Sequence, residues 1–135
     1  MRNTFKVYER LKREQHINTL FLKGKAFSVF PLRVVYIAVA RTSEKESPVK
    51  AGFSVPKKKF RSSVDRHRIR RLMVESWRLS KGSFYPEIPS GIQLHIFFIF
   101  TNNEMPSYEI VDKALQAGIG KLKTVLPALV MSGDQ

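Results

Sequence analysis

The chain has 135 residues, with 24 lysines and arginines against 11 acids and a formal net charge of +13. Its hydrophobic fraction of 43% and aromatic fraction of 11% suit one folded domain, spanning 1–135 with an ordered core over about 8–127, and exclude a disordered basic tail. Cysteine is absent, which excludes disulfides, thiolate zinc sites and cysteine nucleophiles and fits a reducing cytoplasm.

The charge balance points to a polyanionic partner, either nucleic acid or an anionic membrane. No apolar run reaches the roughly 18 residues of a spanning helix, and Met1-Arg2-Asn3-Thr4-Phe5-Lys6 lacks the apolar segment of a secretory signal. The expectation is a cytoplasmic protein without a membrane partner.

The elements follow in chain order. Glu14 to Lys23 predicts a helix with Ile17, Leu20 and Phe21 on one stripe and Gly24 as its stop. Phe27 to Phe30 predicts a short strand broken at Pro31. Arg33 to Arg41, rich in β-branched and aromatic residues, predicts a long one. Thr42 to Pro48 is a polar turn, in which Glu44 and Glu46 flank Lys45 and face solvent. Lys50 to Val55 is a further strand, closed by Pro56.

Residues 57–71 then carry eight basic side chains against one acid, Asp65. Ser62 is placed as a helix N-cap with Asp65 three residues later, and the helix is expected to reach about Lys81 and stop at Gly82. Ile69, Leu72, Met73, Ser76 and Trp77 recur at helical spacing, so the basic side chains are mounted on a packed element. On a helical wheel His67, Arg71 and Arg78 point away from that stripe. Arg68 and Arg70 take the two flanks, and Arg66 lies near its edge. Guanidinium forks grip phosphate oxygens and stack on bases, and their mutual repulsion is relieved by a polyanion. A solvated surface would instead alternate charge signs.

Pro86, Pro89 and Gly91 mark a loop, Ile92 to Thr101 is an apolar strand, and Ser107 caps a last helix ending near Pro127. Its apolar stripe is Val111, Ala114, Leu115, Gly118, Leu122, Val125 and Leu126. The order α-β-β-β-α-β-α predicts an α+β fold, a single sheet packed by helices.

Ser54-Val55-Pro56-Lys57-Lys58 followed by Arg66-His67-Arg68-Ile69-Arg70-Arg71 and Glu75 resembles the signature of the protein subunit of bacterial ribonuclease P. Arg10-Leu11-Lys12 leading to Ile17, Phe21 and Gly24 is similar to that family's opening, and the likeness spans about residues 10–122. Three positions depart from it: His67 replaces asparagine, Val74 an arginine, and Ile17 the first aromatic of a pair.

The resemblance implies a ribosomal-protein-like α/β sandwich with a left-handed β-α-β crossover, against the usual rule. It also implies two RNA contacts. Lys57, Lys58, Arg61, Arg66, His67, Arg68, Arg70 and Arg71 would face the catalytic RNA. A cleft between the first helix and the sheet, with Ile17, Phe21 and Tyr36, would take the single-stranded 5′ leader of precursor tRNA. For Phe21 leader stacking and core packing are both open. For Tyr36 the polar tip favours a wet surface.

Phosphodiester hydrolysis by the protein itself would need clustered carboxylates or a histidine pair. The acids are scattered, and the spacing of His16, His67 and His95 defines no pair, so neither a catalytic nor a metal-binding residue is assigned. What the resemblance implies instead is cleavage by the RNA subunit with Mg²⁺, the protein being part of the enzyme and requiring no protein partner. The alternatives are a non-enzymatic RNA-binding protein, ribosomal or an assembly factor, and a helix-turn-helix DNA reader. The latter is disfavoured by the strand and Pro56 before the basic helix.

Overall fold

The computed structural model describes residues 5, 6, 9–43 and 45–133, with side chains described as far as Pro127. The elements are α1 (Glu14–Lys23), β1 (Lys25–Val29), β2 (Leu32–Ala40), β3 (Val49–Ser54), α2 (Ser63–Phe84), β4 (Ile92–Phe100) and α3 (Tyr108–Gly133), with a 3₁₀ turn at Tyr85–Glu87. They follow the expected order. The strands form one sheet in the order β1-β2-β4-β3, antiparallel except for the parallel β3–β4 pair. A parallel neighbour demands a crossover, and α2 supplies it.

Strand alternation divides the sheet into two faces. Leu32, Val34, Leu94, Ile96, Phe98 and Phe100 point to the side covered by α2 and α3, where Ile69, Met73, Trp77 and Phe84 from α2 meet Val111, Leu115, Ile119 and Leu122 from α3. Trp77 is the hub, with ring centres 5.6 Å from Phe98 and 6.0 Å from Phe84. Val35, Ile37, Phe97 and Ile99 point the other way and meet Leu11, Ile17 and Leu20 beneath α1. β4 is central and therefore buried on both sides along most of its length.

Two predicted helix ends move. Gly82 lies inside α2, which continues because Phe84 at its end is fully buried beside Trp77. That burial outweighs the roughly 1 kcal/mol a mid-helix glycine costs. Pro127 lies inside α3. The buried stripe through Ile119, Leu122 and Leu126 carries the helix past a residue that lacks an N–H donor and whose ring crowds the carbonyl four positions back. Glu44 lies outside the described residues.

Candidate nucleic-acid interface

The basic segment is built as a rigid ridge. Ser62 accepts a hydrogen bond from the Asp65 amide at 3.4 Å, capping α2. Lys59 and Phe60 amides both donate to the Pro56 carbonyl, folding Lys57–Lys59 into a compact turn. Phe60 anchors that turn against Phe100, with ring centres 5.9 Å apart. Arg66 reaches back, its Nη1 donating to the carbonyls of Phe60 and Arg61 at 2.8 Å each. Arg66 thus braces the loop that presents the lysines, a role its place on the wheel did not reveal.

His67, Arg68, Arg70 and Arg71 are exposed along α2, and Lys57, Lys58, Lys59 and Arg61 along the loop. Among the described residues none of these eight forms a salt bridge. Arg78, aligned with them on the wheel, is instead held by Glu75 through Nε at 3.1 Å and Nη2 at 2.6 Å. Two grooves flank the His67–Arg71 row. One, of about 520 Å³, is bordered by Arg68 and Leu72. The other, of about 350 Å³, is bordered by Arg70, Val74 and Arg10.

Arg10 is a member that sequence reasoning missed, although it opens the Arg10-Leu11-Lys12 run. Its guanidinium sits 4.9 Å from the centre of the Phe5 ring. Its segment is tied to the sheet by an Arg10–Ala51 bridge and by the Leu11 amide donating to the Ala51 carbonyl at 3.0 Å.

The opposite face carries a cleft between α1 and the sheet. Its floor is laid in cross-strand rows: Arg33, Ile99 and Ser54; then Val35, Phe97 and Gly52; then Ile37, His95 and Lys50. A methyl group on Gly52 would overlap the Phe97 ring, so glycine is what lets that ring lie across β3. Phe21, 49% exposed, stands edge-on to Phe97 with ring centres 5.4 Å apart. Ile17 is half-buried in the same seam. Phe21 therefore helps to close the seam while leaving about half of its surface open.

Tyr36 is a correction. It is buried on the α2–α3 side, 5.9 Å ring to ring from Phe27, and has no part in the cleft. The residue of β2 that faces α1 beside Phe97 is Val35.

Next to the aromatic row, His16 and His95 come together with ring centres 5.0 Å apart, a pairing that spacing did not foretell. Burial above all, then His16 and Lys50, push His95 down from 6.5 to about 4. The unfolded chain takes up this proton near 6.5 and the folded chain only near 4, so folding is penalised as pH falls through that window. At about 1.4 kcal/mol per unit the loss totals on the order of 3 kcal/mol. Urea midpoints measured from pH 7 to 4 should fall steeply in the parent and less in His95→Gln. Equal slopes would show that His95 is not the group responsible.

The Ribonuclease P family profile matches residues 5–123. The chain belongs to the ribonuclease P protein family. It is 34% identical over 127 residues to the ribonuclease P protein component of Porphyromonas gingivalis, covering 93% of this chain and 91% of that one. It is 33% identical over 123 residues to that of Chlorobium phaeobacteroides, covering 84% of each. The fold matches the ribonuclease P protein of Staphylococcus aureus with a TM-score of 0.66 at 19% identity, over 90% of this chain and 99% of that one. The Thermotoga maritima protein gives 0.64 at 20% identity, over 84% and 96%. Membership makes the chain an RNA-binding subunit of the ribonucleoprotein that matures tRNA 5′ ends.

Proposed function

We propose that the ridge on α2 and its loop bind the ribonuclease P RNA, while the cleft between α1 and the sheet receives the single-stranded 5′ leader of precursor tRNA. The observation that carries this reading is a dense row of exposed cations without carboxylate partners among the described residues. Such a row gains most from phosphates, through charge-assisted hydrogen bonds and counterion release. The cleft supports the second half. Phe21 and Phe97 present aromatic surface to stack an unpaired base, and β3 leads from the cleft floor directly into the loop of Lys57–Lys59.

No group of three histidine or acidic side chains among the described residues could ligate a metal. We assign the Mg²⁺ ion and the cleavage step to the RNA subunit. The protein's contribution is then affinity and placement of the leader.

Adding the protein to its cognate ribonuclease P RNA at low Mg²⁺ should raise leader removal, leaving a 5′-phosphate on the tRNA. No gain would favour a non-enzymatic RNA-binding role. In the assembled enzyme Phe21→Ala should weaken precursor binding by roughly 1–3 kcal/mol and leave mature tRNA unaffected. Equal losses for the two RNAs would reduce Phe21 to a packing residue.

A further inference from the structure

The cleft continues past its aromatic row into a cavity of about 340 Å³ walled by Arg13 and His16 of α1, Lys50 of β3 and His95 of β4. Its floor is held by a directed hydrogen-bond chain. Gln93 Nε2 donates to the Ser47 carbonyl at 2.9 Å and to the Glu46 carboxylate at 3.3 Å. That fixes the amide, so Gln93 Oε1 faces His95 Nε2 at 2.8 Å, where it can only accept. His95 therefore carries its hydrogen on Nε2 and keeps Nδ1 as an acceptor. Glu46, the one described acid in the wall, is engaged by Thr42 Oγ1 at 2.8 Å as well as by Gln93. Arg13 and Lys50 are left as the cations of the wall. The His95 row is two residues from the Phe97 row on β4, about 7 Å along the strand.

We propose that this cavity is a second nucleotide subsite for single-stranded RNA, adjacent to the Phe21–Phe97 row. His16 packs against the base, and Arg13 and Lys50 hold the phosphate. This rests on the reading of the cleft as a single-strand track. Imidazole faces stack bases, and unpaired bases are read along their edges by fixed acceptors. The neutral, tautomerically fixed floor adds no charge that would repel a base donor. The cations stand where the backbone must pass.

The test uses the assembled enzyme with precursor tRNAs whose leaders are shortened one nucleotide at a time. His16→Ala and Lys50→Ala should each weaken long-leader binding roughly 5-fold or more. Both losses should vanish once the leader becomes too short to reach the cavity, at a length where Phe21→Ala still has its effect. A structural defect would not depend on leader length. If both variants bind every leader like the parent while Phe21→Ala does not, the subsite is refuted and the cleft reading stands. If Phe21→Ala is equally silent, the cleft reading falls and the subsite with it.

Discussion

Lys81→Met should cost the fold about 3–5 kcal/mol, a large share of the stability of a domain this size. Lys81 is 1% exposed on the inner side of α2, and its ammonium pairs with the Glu9 carboxylate, itself 4% exposed. Tyr85 donates to the same carboxylate at 3.0 Å, and burial together with Glu9 pushes the phenol well above its usual range. Removing the ammonium leaves a buried carboxylate with its charge uncompensated, which accounts for most of the loss. Adding Glu9→Leu should therefore recover much of it, since an apolar pair of similar size replaces a buried ion pair at little cost. Urea midpoints of both single variants and the double variant decide the matter. A double variant no more stable than Lys81→Met alone would mean that the cost arises from lost packing.

Arg70→Ala combined with Arg71→Ala should behave in the opposite way, leaving stability intact while crippling RNA association. Both side chains are exposed and form no ion pair among the described residues, so truncation removes repulsion and strands no charge. Each lost phosphate contact should cost about tenfold or more in affinity for the ribonuclease P RNA. Each should also flatten a log–log plot of affinity against salt by about one unit. Binding titrations across a series of salt concentrations measure both. An unchanged slope would move the RNA interface elsewhere.

The elements were legible because each is specified locally. The stripe through Ile69, Met73 and Trp77 repeats at helical spacing and is buried as read. Ser62 caps where its side chain can reach the Asp65 amide. Tyr36 was misplaced because β2 is apolar at successive positions, so alternation could not tell its two faces apart. What escaped altogether joins residues distant in sequence. Glu9 meets Lys81 72 positions away, and His16 meets His95 only once α1 lies across β4. No local pattern encodes such pairs. Arg66 escaped for another reason: a basic side chain in a basic run reads as surface, although its hydrogen bonds serve the backbone of the loop.

β3 closes one side of the sheet, and the segment through Arg10 and Leu11 lies against it at Ala51. An unprotected border strand is a template on which a second copy can build a continuous ladder. Here an amide arriving from the same molecule already takes the carbonyl midway along that border. The segment through Arg10 and Leu11 thus covers that part of the border, and a chain trimmed to begin at α1 should expose it to other copies.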